Sequence, residues 1–386
     1  MLKSKNVTGL ICEFNPFHNG HQYILDKIRQ STGGYIACVM SGNFVQRGEC
    51  AIVDKWKRAE AALRCGADLV IELPLPFAVS TAEKFAAGGI SLLNGLNCVD
   101  RLTFGSETGD IDLIVKTAEY LLSEKFKADI RPEIDGGTPF ASARSRAAAL
   151  NLGCAEILNN SNDILGVEYV KALIQSNSSI KPEAIKRHAI GHDKGSSGDF
   201  ASASEVRRIL RSGGDPWRFM PEAAAEILKS GYNPAILANL ERAVLYKLRT
   251  MSAGDIRKLP DISEGIEYRI KAAAGNAGSI EELYSMIKSK RYSHARIRRI
   301  VLSALLGIRS AHSEKMPYIR ILGMNENGRD IIGRALLPVI GGYGDAKKFG
   351  VTELYELEAA ATDIYGLMTE CVTPAGMEYK KQLIKV

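Results

Sequence analysis

Two histidines three residues apart, His18 and His21, enclose Asn19-Gly20 and are the residues of this 386-residue chain best spaced for chemistry. Imidazoles set around one point can donate hydrogen bonds to phosphate oxygens. They can also stabilise charge that builds up during phosphoryl or nucleotidyl transfer. Gly20 between them lets a ligand approach the backbone closely. An apolar run at 7–12 and a turn carrying Asn15 and Pro16 come before them; Ile24, Leu25 and Ile28 then repeat at helical spacing. A strand that ends in a turn and opens a helix is where an α/β protein holds phosphate, because free N–H groups and the helix dipole both favour an anion. On spacing alone, His-x-Gly-His is equally compatible with solvated or merely capping imidazoles.

Three further groups could act on anions. In Ala201-Ser-Ala-Ser-Glu-Val-Arg-Arg208, Ser204 is a natural N-cap, which would put Arg207 and Arg208 in the first helical turn. Arginine there opposes the dipole, so it fits best beside an anion shared with the serine hydroxyls and free N–H groups. A solvated surface arginine is the plainer reading. Asn43, Gln46 and Arg47, in the loop 41–48, could bond a small carboxylate or a phosphate, or simply order a polar loop. The run 288–299 is the densest in positive charge: Lys288, Lys290, Arg291, Arg296, Arg298 and Arg299, joined by Tyr292 and His294, with no acid among them. Phosphate contacts plus a stackable ring suit single-stranded RNA, against the alternative of a solvated helix face.

The elements that must position these residues read as alternating strands and helices. Strands are expected at 7–12, 35–40, 68–73, 101–106 and 184–188, and helices at 54–65, 81–93, 110–126 and 162–174. Asp54 caps the first of these helices, and Asn162 or Asp163 the last. Gly105 closes one strand and could admit an adenine or ribose against its backbone, or serve only as a turn residue. The region 130–162 is assigned no more than helix and loop. Repeated βα units imply a parallel sheet with ligands at the strand carboxyl ends, a Rossmann-like, doubly wound α/β layout. The polar, turn-forming 211–216 marks a boundary, giving a domain at 1–215 and a mainly α-helical, basic domain at 216–386.

The composition is that of a globular protein, with 46% hydrophobic and 24% charged residues, and with no apolar run near the roughly 20 residues of a membrane span. A cytoplasmic protein with no membrane partner is expected. Seven scattered cysteines without a Cys-x-x-Cys pair argue against structural zinc and a disulfide framework. A formal charge of +6 permits a polyanionic partner without requiring one.

Phe14-Asn-Pro-Phe-His-Asn-Gly-His21 resembles the nucleotide-binding signature of the HIGH superfamily, which holds nucleotidyltransferases and class I aminoacyl-tRNA synthetases. Ser202-Ala-Ser204-Glu-Val-Arg207 is similar to that superfamily's second motif, Ile-Ser-Ser-Thr-x-Ile-Arg, which closes the nucleotide site from the other side; Ala201 and Ala203 depart from it. Further motifs follow in order: Met40-Ser-Gly-Asn-Phe-Val-Gln-Arg-Gly48, Phe104-Gly-Ser-Glu107, Asn162-Asp-Ile-Leu-Gly-Val-Glu-Tyr169, Glu264-Gly-Ile-Glu-Tyr-Arg269, Arg291-Tyr-Ser-His-Ala-Arg296 and Tyr318-Ile-Arg-Ile-Leu-Gly323. Together they resemble the bacterial tRNA(Met) cytidine acetate ligase family.

That resemblance implies two steps. ATP and acetate give acetyl-adenylate and pyrophosphate, and the acetyl group passes to N4 of the wobble cytidine, position 34, of elongator tRNA(Met). It places ATP on Ile11, Cys12, Glu13, Phe14, Asn15, Pro16, Phe17, His18, Asn19, Gly20, His21, Gln22, Tyr23 and Ile24, with Gly105, Asn162 and Arg187. His18 and His21 would stabilise charge at the phosphates, and Arg187, Arg207 and Ser204 would hold them. Asp163 stands where a second Asn is expected in relatives. Mg²⁺ would accompany ATP on phosphate oxygens, with no role for CoA. The alternative is a small-molecule adenylyl- or cytidylyltransferase acting on a phosphorylated metabolite, which leaves the basic helical half without a task. A non-catalytic RNA-binding protein would leave both histidines idle.

Overall fold

The computed structural model describes residues 6–153, 156–187, 196–263, 265–289 and 291–386. Its parallel core comprises β1 (Val7–Cys12), β2 (Tyr35–Ser41), β3 (Leu69–Leu73), β4 (Arg101–Ser106) and β5 (Lys181–Lys186), in the order β3-β2-β1-β4-β5. The inner strands carry continuous apolar runs because both faces are covered. Val7, Ile11, Ala37, Val39, Leu69 and Ile71 enter one apolar layer; Leu10, Ile36, Cys38, Met40 and Val70 enter the other. Helices α1 (Asn19–Thr32) and α2 (Lys55–Arg64) supply Leu25, Ile28, Ala59 and Leu63 to the second layer. Helices α3 (Ala82–Gly95), α4 (Ile111–Leu122) and α5 (Ser161–Gln175) pack on the first through Phe85, Ile90, Ile114, Val167 and Val170. The strand order reverses at β1, and the crevice beside β4 is where such sheets bind ligands.

Local chemistry accounts for most boundaries. Asp54 and Thr81 accept the N–H groups of Lys57 and Lys84 and so cap α2 and α3. The helix read at 110–126 ends at Leu122; a second helix, Glu124–Asp135, runs into the region read only as helix and loop, where Phe140–Leu152 forms another. Helix α5 is preceded by Asn160 rather than capped by Asn162 or Asp163, because the carboxylate of Glu107 accepts its first N–H groups instead. The strand expected at 184–188 runs from Lys181 to Lys186, while His188 and the 191–195 segment lie outside the described residues.

The second half divides differently from the 215/216 reading. After α6 (Ala203–Arg211) and α7 (Glu222–Lys229), four helices share an apolar centre: α8 (Glu241–Thr250), α9 (Ile266–Asn276), α10 (Ile280–Ile287) and α11 (His294–Leu306). The chain then returns to the first sheet. Strand β6 (Ile319–Met324) pairs antiparallel with β3, and β7 (Val339–Ile340) and β8 (Ile384–Lys385) pair parallel with β6. The outer edge of β3 is thereby covered rather than exposed.

A buried ionic group ties this return in place. Lys55 Nζ lies 2.7 Å from Glu72 and 2.9 Å from Glu378, and Arg320 Nη2 lies 2.9 Å from Glu378. Helix α12 (Thr352–Met368) packs Tyr365 and Met368 against Phe44, Cys50 and Leu302, joining the helical part to the 41–50 loop. Among the described residues, no helix is long and apolar enough to cross a membrane.

Candidate active site

The chain leaves β1 through Phe14, whose φ of 45° reverses it, and reaches His18 in extended conformation as the N-cap of α1. Phe14 and Phe17 are fully buried, pack edge to face at 4.9 Å, and form an apolar floor under the His21 ring. The two histidines cap the helix reciprocally. His18 Nδ1 accepts the Gly20 N–H at 3.0 Å, and His21 Nδ1 accepts the His18 N–H at 3.2 Å. Their rings stack with centroids 3.8 Å apart. A Cβ at Gly20 would lie 2.8 Å from His18 Cε1, so only glycine leaves room for this arrangement.

That geometry assigns the tautomers. With Nδ1 of each ring accepting a backbone hydrogen bond, a neutral imidazole carries its proton on Nε2. Both rings are held neutral. Burial, then the charges of Arg187 and Arg207, push His18 down to about 3; burial, His18 and Arg187 likewise lower His21. The pair therefore presents two fixed Nε2–H donors in a field already positive.

The rest of the cleft closes around them. Asn15 Oδ1 accepts the Ile52 N–H at 2.8 Å, and its carbonyl accepts Arg207 Nη1 at 2.8 Å, so the first motif and α6 touch directly. Ser202, not Ser204, caps α6 by accepting the Glu205 N–H. The helix thus starts earlier than read, and Arg207 falls in its second turn. Ser204 bonds Arg207 Nη2 at 3.2 Å, and the exposed Arg208 is spent on Glu205. Gly105 ends β4 under Arg187 and Ile24, whose side chains would meet an added Cβ at 3.3 and 3.4 Å. The Arg187 N–H donates to the Ser106 carbonyl at 2.9 Å, which places Arg187 directly beyond β5. Asn162 Nδ2 donates to Glu107 at 2.6 Å.

Two buried side chains, one of which the sequence did not single out, fix the loops around this cleft. Fully buried Asp163 accepts from Ser106 Oγ and from the Glu107 N–H at 3.0 Å, fixing the loop after β4. Arg58, also fully buried, donates to the carbonyls of Val53 at 3.0 Å, Glu13 at 2.6 Å, Ser41 at 3.1 Å and Gly42. The sequence offers Asp163 as a helix cap rather than as the anchor of the loop after β4, and nothing local singles out Arg58.

The structure distinguishes among the members of two candidate groups. Asn43 is buried, accepting from the Lys55 N–H at 2.9 Å and donating to Thr362 at 3.2 Å, so its amide takes the loop-ordering role. Gln46 donates its backbone N–H to Glu13 at 2.9 Å and its Nε2 to the Ser80 carbonyl at 3.0 Å, while Arg47, 3.0 Å from Ser161, is the exposed member of the trio. Within 288–299, Tyr292 is in the helical core, Arg299 pairs with Asp261 at 2.9 Å and Arg298 pairs with Glu49 at 2.5 Å. Arg296 is held by the Asp261 carbonyl at 2.8 Å. Lys288 and Arg291 stay exposed, and Lys290 lies outside the described residues.

The model of the HIGH Nucleotidyl Transferase family matches residues 5–380. Among curated relatives, the tRNA(Met) cytidine acetate ligase of Thermoanaerobacter sp. strain X514 is 40% identical over 98% of this chain and 100% of its own. That of Acetivibrio thermocellus is 37% identical over 98% and 99%. The crystal structure of Thermotoga maritima TmcAL bound with alpha-thio ATP superposes with a TM-score of 0.91 at 31% identity, covering 99% of both chains. Matched along nearly its whole length in sequence and in fold, the chain belongs to the HIGH nucleotidyl transferases and, within them, to the tRNA(Met) cytidine acetate ligase family.

Proposed function

We propose that the protein acetylates the wobble cytidine of elongator tRNA(Met) in two steps. In the first, an acetate oxygen attacks the α-phosphorus of ATP, the bond to the β-phosphate breaks, and pyrophosphate leaves. In the second, the cytidine N4 amine attacks the acyl carbon and AMP departs, giving N4-acetylcytidine. The observation that carries this reading is the reciprocal His18–His21 cap at the strand-order reversal, which leaves two neutral Nε2–H donors between Arg187 and Arg207. Neutral donors suit charge stabilisation on phosphate oxygens better than proton transfer near neutral pH. The names of the relatives and the ATP analogue of the Thermotoga neighbour support both substrates.

In this reading ATP lies along 11–24 with Gly105, Asn162 and Arg187, and Arg207 balances the triphosphate while Arg47 faces acetate. Lys288 and Arg291 contact tRNA phosphates. The imidazoles and guanidiniums around the phosphate position are N–H donors, which do not ligate a divalent cation. Among the described residues no group of three or more His, Cys, Asp or Glu could hold one. Mg²⁺ would travel on the triphosphate and water. The site of action is the cytoplasm, where tRNA is found. Incubation with ATP, labelled acetate and total tRNA tests the proposal: label should enter tRNA with stoichiometric pyrophosphate. Pyrophosphate release that requires a phosphorylated metabolite instead of acetate would overturn it.

A further inference from the structure

An RNA-binding face needs an exposed ring as well as cations, because unpaired bases are held by stacking. The ring in the basic run, Tyr292, is buried and cannot serve. A different ring meets the requirement. Tyr268 on α9 is 61% exposed, and its orientation is set: Arg257 Nη2 donates to its hydroxyl at 2.9 Å, while Arg257 Nε donates to Glu267 at 3.0 Å. The Arg257 guanidinium also sits 5.7 Å from the ring centroid. An exposed tyrosine is ordinarily a free rotor; this one is held at its edge with ring surface left open.

The same stretch adjoins the basic run at both of its ends. Arg269, the next residue, donates to the carbonyls of Met286 and Lys288, both at 3.1 Å, where the run begins. Arg296, near the run's other end, donates to Ser263 at 2.6 Å, just ahead of α9. Exposed Lys288 and Arg291 thus belong to the segment docked against the helix that carries Tyr268, with Lys288 Nζ donating to the Tyr292 carbonyl at 3.2 Å.

We infer that Tyr268 is the stacking platform for an unpaired base of the tRNA anticodon arm, pre-ordered by Arg257 and flanked by Lys288 and Arg291. This rests on the proposed function. Held ring and adjoining cations together match nucleic acid better than protein, since each phosphate next to a stacked base finds a cation close by.

Equilibrium binding of an elongator tRNA(Met) transcript to the full chain tests it. Tyr268→Ala should weaken binding by about tenfold or more, the usual worth of one base–aromatic stack. Tyr268→Phe, which keeps the ring, should stay within about threefold of wild type. The salt dependence of Tyr268→Ala should match that of wild type because no phosphate contact is lost. Tyr246→Ala, which removes a ring 70% exposed on α8, is the control and should bind normally. Wild-type affinity in Tyr268→Ala, or an equal loss in Tyr268→Phe, overturns the platform while acetylation by the wild-type chain keeps the function. A wild-type chain that neither binds nor acetylates tRNA overturns both.

Discussion

His21 accepts the backbone N–H of His18 through Nδ1, and His18 in turn caps the N–H of Gly20, so each imidazole is fixed by the turn that presents it. The consequence is a pair of preset donors needing no reorganisation when charge develops. His18→Ala and His21→Ala should each lower acetate-dependent pyrophosphate release by about 10²–10³, the usual effect of deleting one such donor. The KM for ATP should move less than kcat if the bonds tighten in the transition state. His18→Ala should also cost about 1 kcal/mol of stability through the lost cap. Normal turnover in either variant would remove the histidines from the mechanism.

The depressed pKa of His18, about 3, links protonation to stability. Between about 3 and the usual 6.5, the unfolded chain binds a proton at this position that the folded chain does not. Stability should therefore fall as pH drops from 6.5, with the loss continuing towards 3, and should be insensitive to His18 above 6.5. Urea unfolding of wild type and His18→Gln across this range checks the sign: the variant should show the shallower decline. The rate of acetyl-adenylate formation should likewise lack an acidic limb from His18 at about pH 5 and above.

Arg58 is the structural counterpart of the histidines. It holds the carbonyls of Glu13, just past β1, and of Ser41, the last residue of β2, in one fan of hydrogen bonds. Arg58→Ala would leave four carbonyls, three of them fully buried, without this donor, at about 1–3 kcal/mol for each buried one before relaxation. A loss of at least about 3 kcal/mol is expected in denaturant unfolding, with saturating ATP restoring part of it through binding. Arg58→Lys should recover little, since an ammonium cannot reach the same spread of acceptors.

What the sequence disclosed depended on how far each residue's partner lies along the chain. The strand Val7–Cys12 and its helix were legible because period, turn and cap all sit within about 20 residues of each other, and the resemblance rests on that same stretch. The loop-ordering role of Asn43 was one of two readings and could not be singled out, because Thr362, to which it donates, is 319 residues away. The run 288–299 looked unneutralised because its acids come from elsewhere: Asp261, 38 residues before Arg299, and Glu49, 249 residues before Arg298. Strand β6 was missed because its antiparallel partner, β3, belongs to the opposite half of the chain.

The Glu49–Arg298 pair sorts the basic residues by experiment. Arg298 joins α11 to the active-site loop at 2.5 Å, and Gly48, at φ 74°, lies so close that a Cβ there would approach the Arg299 nitrogen to 2.5 Å. Arg298 thus acts on the loop that carries Gln46 and Arg47, whereas exposed Arg291, with no ion pair among the described residues, is the phosphate contact in the proposed function. Arg291→Ala should lower the slope of log K against log salt for tRNA binding by about one. Arg298→Ala should leave that slope unchanged and instead raise the KM for acetate in tRNA-free adenylate formation. Glu49→Gln should do the same, and the double variant should be no worse than either single one, because both remove one interaction. A drop in salt slope for Arg298→Ala equal to that of Arg291→Ala would return Arg298 to the tRNA face.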